Sequence, residues 1–108
     1  MVVKRLEGEE GEEMATYVIL SRVSPEAFTD PAGFRQLARA VSTTIKEECP
    51  GVTWKASYST LGRFDVVDIV EAEDHRQVEK AAVIIRSIGH SITETMPATE
   101  WHKFLEGL

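Results

Sequence analysis

One aspartate stands in the middle of an otherwise apolar run, Asp68 within Val66-Val67-Asp68-Ile69-Val70, and its residue type and position could do chemistry. A carboxylate inside a strand is expensive to bury unless it is paired or protonated. In a water-containing pocket it can bind a ligand or move a proton. Its companions follow from strand pairing. If Gly62-Arg63 form a two-residue turn, residues 52–60 fold back on residues 63–71 as an antiparallel hairpin. Ser57 then faces Asp68, Tyr58 faces Val67, Trp54 faces Glu71, and Lys55 lies diagonal to Asp68. The candidate site is therefore Asp68 with Ser57 and Lys55. The ordinary reading of the same residues is a hydrogen bond to Ser57 or a salt bridge to Lys55 that sets register.

Three more residues enter as candidates for ligand binding. Asp65 follows the turn directly, where an aspartate accepts backbone amides and stabilises the hairpin. His90 and Glu94 share one face of the last strand by alternation, with Ile92 and Met96, and could form a base-and-orienter pair in a cleft. On an edge strand the same two residues simply meet solvent. The single cysteine, Cys49, lies between Glu48 and Pro50 with no neighbouring cation to lower its pKa. Serines have no histidine at a recognised spacing, no Gly-rich phosphate loop occurs, and His75 and His102 fall in no metal-ligand pattern. The expectation is a chain with no catalytic residue assigned, no cofactor and no metal.

The elements that must position these residues read strand, helix, strand, strand, helix, strand, then a short terminal helix. The first strand covers residues 15–23. Asp30-Pro31 signals a helix start, and Phe34, Leu37, Ala38, Val41 and Ile45 form one buried stripe. That helix stops before Cys49-Pro50-Gly51. Asp74 caps a second helix with Val78, Ala81, Ala82, Ile85 and Ile88 inward, and Gly89 is expected to end it in a left-handed conformation. Gly62 is likewise expected to supply positive φ at the hairpin. A strand over residues 91–96 and a helical segment over 99–105, carrying Trp101, Phe104 and Leu105, complete the chain.

This order, β-α-β-β-α-β, is the ferredoxin-like pattern of the α+β class: a four-stranded antiparallel sheet with two helices on one face. Right-handed crossovers place strands one and three centrally. Composition agrees, because Lys55, Ser57 and Ser59 mark strand two, and Thr93, Glu94 and Thr95 mark strand four, as suits edges. Alternation puts Trp54, Ala56, Tyr58, Val67 and Ile69 under the helices. It leaves Lys55, Ser57, Ser59, Phe64, Val66, Asp68 and Val70 on the open face. An apolar open face implies a partner, and the simplest is a second copy about a twofold axis, making a homodimer with Asp68 in the cleft between subunits. A higher oligomer is compatible with the same surface.

At 108 residues there is room for one domain, expected over residues 14–108, behind an acidic tail at 1–13. That tail sets Lys4 and Arg5 against Glu7, Glu9, Glu10, Glu12 and Glu13, half of the net charge of −6. No basic stripe offers itself to phosphates, so nucleic acid is not an expected partner. No apolar run suits a membrane span or a secretion signal, and a lone cysteine suits a reducing cytoplasm.

From Ala15 to Met96 the chain resembles the GYD-domain family of small proteins. The resemblance rests on Thr16-Tyr17-Val18-Ile19-Leu20, on Thr60-Leu61-Gly62-Arg63-Phe64-Asp65-Val66-Val67 with Ile69-Val70-Glu71-Ala72, and on Gly89 followed by Thr93-Glu94-Thr95. Gly62 and Asp65 match the Gly and Asp of the family's name, and Phe64 stands where the tyrosine would be. The resemblance implies a dimeric α+β barrel and names no reaction. The resulting expectation is a homodimeric small-molecule-binding or interaction module. The alternatives are a cofactor-independent enzyme using Asp68, Glu94 or His90 between subunits, and a purely structural oligomer.

Overall fold

The computed structural model describes residues 14–27 and 30–108, and the expected acidic tail at 1–13 lies outside them. Apolar residues on alternate positions carry Ala15–Val23 into strand β1, Val52–Ser59 into β2, Val66–Ala72 into β3 and Ser91–Ala98 into β4. All pairs are antiparallel and the sheet order is β2-β3-β1-β4, so the two most apolar strands are central and the polar ones are edges. Strand β4 runs through Pro97, which an edge strand tolerates. The fold is the four-stranded α+β ferredoxin-like architecture expected.

Helix α1 spans Pro31–Glu48, with Asp30 as N-cap accepting from the Gly33 amide at 2.7 Å. Helix α2 spans His75–Ser87, capped by Asp74, which accepts from the Arg76 amide at 2.9 Å. A short helix α3, Trp101–Glu106, closes the chain, with Trp101, Phe104 and Leu105 exposed. The left-handed residue after α2 is His90, at φ 51°, and not Gly89. Glycine is needed at 89 for space: a Cβ there would lie 2.4 Å from the Ile85 carbonyl oxygen. The bend at His90 is held because its carbonyl accepts from the Ser24 amide at 2.8 Å. Gly62 is also outside the left-handed region. The hairpin loop is longer than a two-residue turn: residues 61–64 are closed by the Thr60 amide on the Asp65 carbonyl at 3.0 Å and the Thr60 hydroxyl on the Phe64 carbonyl at 2.6 Å.

The hairpin register places Ser57 opposite Asp68 and Tyr58 opposite Val67, as expected, but Trp54 faces Val70 rather than Glu71. A β-bulge between Trp54 and Ala56 shifts the ladder by one residue. Beyond the bulge the facing of the sheet is the reverse of that expected, while Trp54 and Lys55 keep the sides expected of them. Ile19, Val70 and Ala72 are fully buried against Val78, Ala81 and Ile85 of α2, so the face carrying Asp68, Val66 and Ser57 lies under the helices. Val67, Ile69, Ala56 and Tyr58 lie on the open side. Both faces of the central strands are apolar, so hydrophobic pattern alone could not orient the sheet. Asp68 is not in a cleft between subunits; it is 6% exposed beneath α1.

Helix α1 meets the core chiefly at its C-terminal end. Ile45 is its one buried residue, joined by Cys49 beyond it, while Phe34, Leu37 and Val41 are half-buried and Ala38 is exposed. Lys80 of α2 fastens this end by donating to the Glu48 carbonyl at 2.9 Å, with the Glu48 carboxylate 3.5 Å away. The rest of the apolar stripe looks onto a gap above the sheet.

Candidate functional site: a cleft beneath the first helix

The gap between α1 and the sheet is a cleft of about 780 Å³. Its roof is the α1 stripe, Phe34, Leu37, Ala38, Val41 and Ile45, and its floor is built by strand residues Ser21, Val23, Trp54, Ser57, Val66 and Asp68. Ligand sites are concave, mostly apolar and furnished with a few convergent polar groups. Here the polar groups are gathered on the floor.

Asp68 is the centre of that floor. Its Oδ1 accepts from the Ser57 hydroxyl at 2.5 Å and from the Trp54 indole Nε1 at 3.1 Å, and the same indole also donates to Ser57 Oγ at 2.9 Å. The bulge makes this possible, because it returns Trp54 to the helix side next to Ser57. Two strand residues thus hold one carboxylate oxygen, which offsets the cost of burying it. No described residue donates to the other oxygen, Oδ2. Ser21, on β1, is the second polar element: it is 3% exposed and its Oγ has no partner. Among the described residues only Gln77 Oε1 shares that condition, and it is not part of the cleft lining.

The remaining expected site residues are dispersed. Lys55 sits in the bulge, is half exposed, and reaches Glu71 at 3.9 Å instead of Asp68. Asp65 accepts from the Val23 amide at 2.8 Å through Oδ2, while its own amide donates to the Ser21 carbonyl at 2.8 Å, so it extends the β1–β3 ladder past its last pair. Its side chain serves the backbone, which is its ordinary role, though it binds β1 and not the hairpin alone. Glu94 pairs with Leu20 across the ladder and is exposed on the open side. His90 is exposed in the bend and borders a separate 270 Å³ depression with Ser24, Glu26 and Leu37. His90 and Glu94 are not brought together. Cys49 lines the cleft, but burial pushes its thiol above the ordinary value, against which Lys80 acts only in part. It is therefore kept from the thiolate form. No group of histidine, cysteine and acidic residues able to hold a metal occurs among the described residues.

Sequence reasoning missed Ser21. The signal was present: Ser21 falls by alternation on the same face as Tyr17, Ile19 and Val23, where a hydroxyl is as anomalous as Asp68. Residues 54 and 57 could not be placed on one face without knowing of the bulge.

An antiparallel ferredoxin-like domain with a polar-floored cleft under its first helix is the class that fold and site define. The chain belongs to the GYD domain family, whose profile matches residues 17–108. A curated relative from Thermus thermophilus, named as a glutamine synthetase and cystathionine beta-lyase binding protein, is 29% identical over 85 residues, covering 79% of this chain and 88% of that one. Among solved structures, the cofactor-independent oxygenase SnoaB from Streptomyces nogalater matches at 17% identity and a TM-score of 0.47, covering 83% of this chain and 95% of that one. An antibiotic biosynthesis monooxygenase homologue from Caulobacter crescentus matches at 15% identity and a TM-score of 0.47, covering 81% and 91%. These structural likenesses concern the fold alone. No helix among the described residues is long and apolar enough to cross a membrane.

Proposed function

We propose that this protein is a small-molecule-binding module whose ligand enters the cleft beneath α1, and that the open side of the sheet joins it to a second copy. The cleft carries the first part: an apolar helical stripe is held off the sheet above a floor that holds the Asp68 carboxylate and a Ser21 hydroxyl without a partner. Its volume of about 780 Å³ falls in the range typical of ligand sites. The test is a thermal-shift panel of metabolites on wild type and on Ala38→Trp. Ala38 is exposed at the cleft wall, so an indole there fills the space without disturbing the core. A ligand-specific rise in melting temperature that disappears in Ala38→Trp supports binding in the cleft. The absence of any hit, or a hit that Ala38→Trp leaves intact, refutes it.

The open face supports the second part. Tyr58, Ile92 and Met96 are exposed there beside Val18, Leu20, Val67 and Ile69, a continuous apolar surface across all four strands. Arg22, Lys55, Glu71 and Glu94 bring both signs of charge to the same side, so a twofold copy can set acidic against basic groups. Light scattering coupled to gel filtration should give twice the chain mass for wild type and the chain mass for Ile69→Lys. A wild-type monomer at micromolar concentration ends this part.

A second reading, an adaptor that docks on enzymes, has its own support. Helix α3 shows Trp101 stacked on Phe104 at 5.6 Å, with Leu105 also exposed, and the Thermus relative is by name an enzyme-binding protein. Co-elution with purified glutamine synthetase or cystathionine beta-lyase, lost in Trp101→Ala, would favour it.

A further inference from the structure

We infer that the floor of the cleft selects an uncharged hydroxyl, an alcohol or a phenol, on an apolar body. This deepens the binding reading above and rests on it. Ser21 Oγ is a hydroxyl without a partner in a residue 3% exposed, so it has both a proton to give and lone pairs to receive. Asp68 Oδ1 already accepts two hydrogen bonds, and no described residue donates to Oδ2. The two residues sit on adjacent central strands and on one face: Ser21 pairs with Val66, and Asp68 pairs with Ile19. They are diagonal neighbours, about 7–8 Å apart at the backbone, a separation that two side chains and one bridging atom can fill.

The bridging atom must donate toward a carboxylate and accept from a serine. A hydroxyl oxygen does both. A ligand carboxylate only accepts, and it would place a second negative charge beside Asp68 in a desolvated floor. An ammonium only donates, which leaves the Ser21 proton without an acceptor. Around this point the lining is apolar, with Val23, Val66, Leu37, Val41 and Ile45 offering area but no polarity. The one cation of the lining, Lys46, is exposed on α1, where solvent screens it.

The experiment uses naphthol, naphthylmethylammonium, naphthoate and methylnaphthalene with the substituent at the same ring position. Their binding is followed by isothermal titration calorimetry, which reads wild type and every variant, Ala38→Trp included, on one scale. Naphthol should bind about tenfold or more tighter than naphthoate and tighter than the ammonium. Ser21→Ala should weaken naphthol about fivefold to tenfold and leave methylnaphthalene unchanged. Asp68→Asn should narrow the gap between naphthol and naphthoate. If all four probes bind, and Ala38→Trp abolishes that binding, but naphthol has no advantage or Ser21→Ala leaves it intact, the hydroxyl inference fails while the cleft reading stands. If no probe binds, or Ala38→Trp changes nothing, the cleft reading itself falls and takes the inference with it.

Discussion

Two serines on the same face of the sheet should respond to the same substitution with opposite signs. Ser21 Oγ is buried without a partner, whereas Ser57 Oγ donates to Asp68 at 2.5 Å and accepts from Trp54 at 2.9 Å. Leaving a hydroxyl desolvated and unbonded costs about 1–3 kcal/mol, and deleting it removes that penalty. Against this stands the loss of one atom's packing, which is less than the roughly 1 kcal/mol associated with a missing methyl group. Ser21→Ala should therefore stabilise the unliganded protein by about 1 kcal/mol, equivalent to about 4 °C in melting temperature for a chain of this size. Ser57→Ala takes away one hydrogen bond to a charged acceptor and leaves Trp54 and Asp68 short of a partner, so it should destabilise by about 1.5–3 kcal/mol. Urea unfolding followed by far-UV circular dichroism, at one fixed protein concentration, measures both through the midpoint at constant slope. Should Ser21→Ala lose stability as Ser57→Ala does, the Ser21 hydroxyl has a partner in the free protein. The case for an open polar site on the floor would then be withdrawn.

Trp54→Phe should destabilise by about 1–3 kcal/mol, since it strips both Asp68 and Ser57 of the indole donor while keeping most of the apolar area; a midpoint unchanged in urea would deny the network any weight. Gly89→Ala should destabilise by at least about 1–3 kcal/mol, because the added Cβ would meet the Ile85 carbonyl oxygen at 2.4 Å and backbone must move; thermal unfolding measures it. Asp74 gives a pH dependence. Hydrogen bonds from the Arg76 guanidinium and amide hold its carboxyl below the ordinary 3.8, so the cap's contribution is complete above that value and is lost as pH falls through the lowered folded one. Asp74→Asn keeps the cap without the titration, and its stability between neutral pH and pH 3 should fall less steeply than that of wild type.

The fold was largely legible because its signals are local. Asp30-Pro31 and Asp74 announce helix starts that the structure confirms as caps, and Cys49-Pro50-Gly51 marks the end of α1. Polar edges against apolar centres gave the strand order. What could not be read was orientation. Val67 and Ile69 are as apolar as Val66 and Val70, so the one polar residue among them, Asp68, decided the facing, and it pointed to the wrong side. Burying a carboxylate under a helix looks prohibitive until its donors are known, and those donors depend on a bulge that no residue type announces. The left-handed position was similarly misplaced. Gly89 is the residue with conformational freedom, yet it is used for close approach, and His90 takes the strained angle with its carbonyl tied to Ser24.

The bulge at β2 decides what kind of site the floor can be. With regular alternation continued from Ser57, Lys55 would stand on the helix side near Asp68 and Trp54 would face the open side. An ammonium beside a carboxylate in that setting would close the floor as an ion pair, with both groups occupied. The extra residue instead sends Lys55 outward to Glu71 and turns the indole inward. An indole offers a single N–H and no net charge, and it engages one carboxylate oxygen from the side while leaving the other unbonded. Asp68 is thereby held in place by neutral donors without being neutralised. Such a carboxylate is fixed in geometry with no described residue donating to its second oxygen, and it lies in a cleft that the apolar stripe of α1 leaves unfilled. An apolar side chain at position 68 would seal the same sheet at lower cost, so packing alone does not account for a carboxylate there.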